Sequence, residues 1–118
     1  MSLEKFETGK KYEQIAKEYL IQKGYHFISE NYKTKFGEID LIFKDGAILV
    51  IVEVKYRKKN KFFEIKNSVD AKKIKRILKT TEIYITENKI DFEEIRLDTV
   101  FIEKIGNNYE ISHFINWS

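Results

Sequence analysis

An aspartate, a glutamate and a lysine at the spacing of a hairpin are the reactive set of this sequence. Asp40 ends Gly37-Glu38-Ile39-Asp40, twelve residues follow, and then comes Glu53-Val54-Lys55. Between the two strings lies Asp45-Gly46, and two hydrophobic runs joined by Asp-Gly are a strong hairpin signal. A two-residue loop with Lys44 facing Ala47 sets Asp40 opposite Ile51 and Glu38 opposite Glu53. Residues paired across a ladder point the same way, and each strand alternates with period 2. Glu38, Asp40, Glu53 and Lys55 therefore share one face. The other face carries Ile39, Leu41, Phe43, Ile48, Val50, Val52 and Val54 without a polar interruption. A three-residue loop would move Asp40 to the face opposite Glu53, and the clean apolar face argues against it.

Carboxylates held close together raise each other's pKa unless a cation intervenes. Magnesium prefers hard oxygen ligands and keeps several waters. A metal held by carboxylates can activate a water, neutralise a phosphate and stabilise a leaving oxygen, which is what phosphodiester hydrolysis needs. Asp40 and Glu53 are the expected ligands of Mg²⁺ or Mn²⁺, and Lys55 the residue that orients or deprotonates the water. Glu13, beside the apolar stripe of the first helix, would add a ligand or a water contact if that helix packs across the acidic face. Glu38 either joins the metal or pairs with Lys35, Lys55 or Arg57. The competing reading of the whole set is a surface salt-bridge cluster.

The elements that must position these residues are legible in order. Thr8 can cap a helix beginning near Gly9. Tyr12, Ile15, Ala16, Tyr19 and Leu20 line its apolar face, and Gly24 stops it. Tyr25–Tyr32 reads as a first strand, followed by the hairpin over 36–44 and 47–56. A basic loop, Lys55–Lys66, carries Tyr56, Phe62 and Phe63 as candidates for stacking on bases or for closing a core. The second helix runs from Ser68 or Val69 to Thr86, with Ala71, Ile74, Ile77, Leu78, Thr81 and Ile85 as its buried stripe. Ile95–Glu103 and Tyr109–Ile115 are final strands around Gly106-Asn107. The order αβββαββ describes an α/β domain with a mixed central sheet flanked by helices.

Composition narrows the setting. At 118 residues the chain is one domain, 1–118, with a single core. It has no cysteine, which excludes disulfides and zinc-thiolate sites. The segment Met1–Lys11 lacks the apolar core of a signal peptide, and the longest apolar run, Ala47–Val52, is too short to span a membrane. A cytoplasmic protein without a membrane partner is expected. Charge is uneven: residues 55–79 hold eleven Lys or Arg against Glu64 and Asp70, a net +9 in a chain of net +3, which leaves −6 elsewhere. Such asymmetry points to a polyanionic partner. Arg57, Lys58, Lys59, Lys61, Lys73 and Arg76 are the candidate nucleic-acid contacts, with a solvated helix surface as the alternative for each. Asp98 reads as a structural polar anchor rather than a metal ligand, His113 as a structural hydrogen-bonding residue rather than a catalytic one, and His26, on the first strand, has still less claim to a catalytic role.

The motifs resemble a known family. Thr8 to Leu20, Gly37-Glu38-Ile39-Asp40-Leu41-Ile42, Val52-Glu53-Val54-Lys55-Tyr56-Arg57, Val69-Asp70-Ala71-Lys72-Lys73 and Arg96-Leu97-Asp98-Thr99-Val100 look like the YraN-like family. It is a bacterial family of the PD-(D/E)XK, restriction-endonuclease-like fold, similar to archaeal Holliday junction resolvases. The resemblance covers nearly the whole chain and implies an αβββαβ core. It places Asp40, Glu53 and Lys55 at the nuclease positions and Glu13 at that of the helix-one acid. The chain departs from the family pattern at Tyr12, where Gly is usual, at Ala71, where Pro is usual, at Phe63-Glu64-Ile65, where a Gly-containing turn is usual, and at Trp117, where Ala is usual. The resemblance implies a metal-dependent endonuclease acting on DNA, branched or partly single-stranded, in repair or recombination. Cutting both strands of a junction would favour a homodimer, since one chain carries one site. The alternatives are a non-catalytic nucleic-acid-binding module that retains the nuclease fold, and a purely structural interaction domain.

Overall fold

A computed structural model describes residues 3–58 and 71–116. Its elements are α1 (Leu3–Gln22), β1 (His26–Thr34), β2 (Gly37–Asp45), β3 (Ile48–Lys58), α2 (Ala71–Asn88), β4 (Glu94–Ile105) and β5 (Asn108–Phe114). The five strands form one sheet in the order β1-β2-β3-β4-β5. All neighbours are antiparallel except β3 and β4, which run parallel and need the α2 crossover between them. This α/β architecture, a mixed sheet with two helices, is compatible with a restriction-endonuclease-like core. No described helix is long and apolar enough to cross a membrane.

Two apolar clusters, one per face, hold the layers together. Tyr12, Ala16 and Leu20 of α1 pack on Leu41, Phe43, Val50, Val52, Val100 and Ile102. On the other face, Ile77 and Tyr84 of α2 pack on Ile39, Ile42, Leu49, Ile51 and Leu97. The stripe expected on α1 is the one observed. The helix itself starts at Leu3, so Thr8 lies inside it and does not cap it. The buried face of α2 is Ile77, Thr80, Thr81 and Tyr84. Ala71 and Leu78, expected in that stripe, are exposed. Thr80 and Thr81 replace them because their hydroxyls donate to the carbonyls of Arg76 and Ile77, 2.8 and 2.7 Å away, which satisfies them on a buried helix face.

The hairpin forms as expected but with its pairing moved by two. Asp45 faces Ile48, Phe43 faces Val50 and Leu41 faces Val52. The loop is Gly46-Ala47 rather than Asp45-Gly46. Gly46 has φ +62°, whereas Ala47 has no positive φ, and glycine at the first of two loop positions suits a type II′ turn. A shift of two preserves the parity of the pairing, and Asp40 and Glu53, the next residues in register beyond Leu41 and Val52, still face one cleft.

Ile39 is the exception on the apolar side. It packs with the α2 cluster, while Leu41, two residues on, packs with the α1 cluster. The partner strand turns at the same place. Glu30 faces Lys17 and Gln14 of α1, and Tyr32 packs edge-on to Tyr84 of α2. Asn31, between them and opposite Asp40, has φ +52°, the left-handed conformation that Asn tolerates better than most residues. That residue breaks the two-residue alternation of both strands beside the acidic cluster.

Candidate functional site

The site lies where β2 and β3 separate. Their ladder ends at Leu41 and Val52. The Asp40 carboxylate reaches across instead, and its Oδ2 accepts the Val54 backbone N–H at 2.8 Å. A side chain thus does the work of a strand carbonyl. Glu53, next in register to Asp40, is 7% exposed. Two ammonium groups converge on its Oε1: Lys73 Nζ at 2.5 Å from α2 and Lys55 Nζ at 3.5 Å from the same strand. An open cleft of about 390 Å³ is lined by Gly37, Glu38, Asp40, Glu53, Lys73, Arg76 and Ile77.

Electrostatics follow from this crowding. Burial, and then the neighbouring Glu53 charge, push the Asp40 pKa up to about 7, with Glu13 and Glu38 adding to the effect. Burial lowers the Lys55 pKa, and the nearby Lys73 reinforces the shift against the pull of Glu53. Burial opposes charge on Lys73 as well, but Glu53 outweighs it and holds that pKa above the usual lysine range. The two lysines are therefore driven apart in acidity, the pattern that separates a proton acceptor from a fixed charge.

The acids fall into two groups. Among the described residues no three of His, Cys, Asp and Glu converge on one metal position. Asp40 and Glu53 form the inner pair. Glu13 and Glu38 meet through Asn31. With its amide nitrogen turned toward them, Asn31 donates to Glu13 at 3.1 Å and to Glu38 at 3.3 Å, while its oxygen accepts from Lys10. Burial raises the Glu13 pKa, the largest of several influences on it. Helix α1 packs on the opposite sheet face, and Glu13 acts on the inner pair through its charge, which adds to the rise in the Asp40 pKa. Asp40 and Glu53 are the residues that could hold an ion directly.

The basic candidates divide too. Lys73 belongs to the acid cluster, and Arg76 lines the cleft wall. Arg57, in strand β3 rather than in a loop, donates from Nε to Glu103 on β4 at 2.7 Å. Tyr56 is also a strand residue, and its ring stacks on Tyr12 with centroids 4.2 Å apart. Lys59, Lys61, Phe62, Phe63 and the Lys58 side chain lie outside the described residues. Lys73 as a partner of Glu53 and Asn31 as a bridge escaped sequence reasoning. The tolerance of Asn for positive φ was one signal for Asn31.

Asp98 and His113 lie away from the cleft. Fully buried Asp98 receives two bonds from Arg96 at 2.8 and 2.9 Å, the Asn116 N–H at 2.9 Å and His113 Nε2 at 2.7 Å. His113 Nδ1 lies 2.8 Å from Lys23 Nζ. An ammonium has no lone pair to offer, so Nδ1 is the acceptor and Nε2–H donates to Asp98. This network ties the end of α1 to β4 and β5.

The model of the uncharacterised protein family UPF0102 matches residues 12–102, which include Glu13, Asp40, Glu53, Lys55 and Lys73. A UPF0102 protein of Vibrio parahaemolyticus is 38% identical over 117 residues, 96% of this chain and 89% of that one. Another, of Carboxydothermus hydrogenoformans, is 36% identical over 110 residues, 93% of each chain. A third, of Fusobacterium nucleatum, is 41% identical over 92 residues, 78% of this chain and 77% of that one. On both counts, the family model and the relatives, the chain belongs to the UPF0102 family, the YraN-like proteins.

Proposed function

We propose that this protein is a metal-dependent endonuclease-like enzyme that hydrolyses phosphodiester bonds of DNA, branched or partly single-stranded, in repair or recombination. The observation that carries the reading is the Asp40–Glu53 pair set against two lysines of opposed acidity. Burial, and then the charge of Glu53, lift the Asp40 pKa to about 7, a cost that a divalent cation relieves. Magnesium is commonly bound through one or two carboxylates, with waters and substrate phosphates completing the shell, and the donor set fits it. Asp40 and Glu53 would hold Mg²⁺ or Mn²⁺. When bound, such an ion neutralises phosphate charge and makes water a better nucleophile.

The chain's own side chains supply the rest of the chemistry. Lys55, with its lowered pKa, takes the proton of the attacking water at Nζ. Lys73 stays an ammonium and grips a non-bridging phosphate oxygen. Arg76 on the cleft wall holds the adjoining backbone. Cutting both strands of a junction would take two copies of this one-site chain in a symmetric pair.

The test is cleavage by purified protein in Mg²⁺, Mn²⁺ and EDTA, on duplex, single-stranded, flap and four-way-junction DNA, with Asp40→Ala in parallel. Metal-dependent cutting that disappears in the variant is the expected result. Cutting that survives in Asp40→Ala would sink the assignment.

One observation favours a second reading, a nucleic-acid-binding module without chemistry. Glu53 Oε1 already meets both Lys55 and Lys73, so its charge is balanced by the protein alone. Titration with Mn²⁺ separates the two readings, because only the enzyme must bind the ion at Asp40 and Glu53.

A further inference from the structure

Phe36 stands in the turn between β1 and β2, 37% exposed, immediately before Gly37 at the start of the cleft. It belongs to neither apolar cluster. Two ammonium groups lie over its ring: Lys35 Nζ at 5.3 Å from the centroid and Lys79 Nζ, from α2, at 5.6 Å. Arg76, one turn earlier on the helix, lines the cleft beside it.

The turn that carries the ring is pinned. The Phe36 N–H donates to Thr34 Oγ1 at 3.1 Å, that hydroxyl meets Thr80 Oγ1 at 3.2 Å, and Thr80 donates to the Arg76 carbonyl at 2.8 Å. Gly37 lies against α2, where a Cβ would make ordinary contact, 3.5 Å from Arg76 Cβ and from Thr80 Oγ1. An exposed aromatic is therefore held in place between cations, next to an acidic cleft. Lys79 also lies 3.7 Å from Glu82, but both side chains are largely exposed and such a pair is weak.

We infer that Phe36 is a stacking platform for an unpaired nucleobase, which would displace the Lys35 and Lys79 ammonium groups from over the ring to the phosphates on either side of it. The inference rests on the nucleic-acid reading above and deepens it: the ligand carries a single-stranded segment at the edge of the cleft. Every base has a π-face, so stacking on an aromatic is tolerant of sequence and changes affinity by about 5- to 100-fold per base. A duplex hides its base faces and gains only the cation contacts. The platform thus selects for unpaired strands, which a uniformly basic surface would not do.

The test is fluorescence anisotropy of the full chain with labelled oligothymidine and with a duplex of equal length, in EDTA at several salt concentrations. Phe36→Leu is expected to lose about 5- to 100-fold in affinity for oligothymidine and nothing for the duplex. Phe36→Trp should retain both affinities, and equal melting temperatures would confirm that all forms are folded. Lys35→Gln should flatten the single-strand salt slope by about 0.7. An equal loss on both ligands, or no loss on either, overturns the platform and leaves the nuclease reading standing. EDTA removes metal-dependent chemistry from this assay, so failure of the Asp40→Ala cleavage test leaves the platform standing in turn. Binding of neither ligand by the unmodified protein overturns the platform, and the cleavage test in Mg²⁺ and Mn²⁺ decides the nuclease reading separately.

Discussion

Asp40 Oδ2 accepts the backbone N–H of Val54 at 2.8 Å, where β2 and β3 have stopped pairing. The bond anchors a carboxylate whose charge its surroundings disfavour. The folded pKa, about 7, lies above the ordinary 3.8. The stability penalty is therefore absent below pH 3.8, grows as the unfolded carboxylate ionises, and is complete above pH 7. Asp40→Asn, which can still accept from Val54, should melt roughly 5 °C above the unmodified protein at pH 8 and level with it at pH 4. Thermal melts across that range check this. A gap independent of pH would contradict the assignment.

Lys73 is paired with Glu53 and would compete with a metal for it. Lys73→Gln should tighten Mn²⁺ binding, read by calorimetric titration, while slowing cleavage at least tenfold through loss of the phosphate contact. Weaker metal binding in this variant would mean that the lysine helps to hold the ion.

Lys55 separates proton transfer from simple charge. Lys55→Arg keeps the cation but does not lose its proton. If Lys55 accepts the water proton, the variant should lose about 10²- to 10⁴-fold in rate, with substrate affinity retained. The rising limb of the pH–rate profile should vanish with it. A variant within a few-fold of normal would assign Lys55 to charge alone.

Asp98 contributes through its hydrogen bonds. Burial works against its carboxylate, but the bonds from His113, Arg96 and Asn116 hold its pKa below the usual value. Its stabilisation is therefore full above the ordinary carboxylate pKa and fades as pH falls through the folded one. Asp98→Ala leaves Arg96 with only Tyr25 and Asp45, takes the acceptor from His113 and Asn116, and should cost about 3–5 kcal/mol in urea unfolding. DNA affinity per folded molecule should not change.

Thr99 is the opposite case. Its hydroxyl is fully buried and makes no hydrogen bond among the described residues, beside Glu53 in the parallel register of β3 and β4. An unmet buried polar group costs about 1–3 kcal/mol. Thr99→Val, of the same shape, should therefore be neutral or should raise the urea midpoint. A clear loss of stability would show that the hydroxyl has a partner in solution.

Much of the fold was legible because its periods are written in residue order. The α1 stripe at Tyr12, Ala16 and Leu20 repeats every four residues and is buried as that spacing requires. Asp45-Gly46 announced the hairpin, and an even register error left Asp40 and Glu53 on one face. The stripe of α2 was less legible, since Thr80 and Thr81 look polar until their hydroxyls find helix carbonyls.

Residue order alone established the acidic pair, the lysine on the same strand and the αβββαββ sequence of elements, because each depends on local alternation between neighbours in the chain. Packing decided the company these residues keep. Lys73 meets Glu53 only because α2 buries Ile77 and Tyr84 on the face that carries the acids. Glu13 does not join Asp40 and Glu53 at one metal position among the described residues, because α1 buries Tyr12 and Ala16 on the other face. Which helix covers which face depends on apolar surface meeting apolar surface across the whole sheet, and no spacing within a single segment records it.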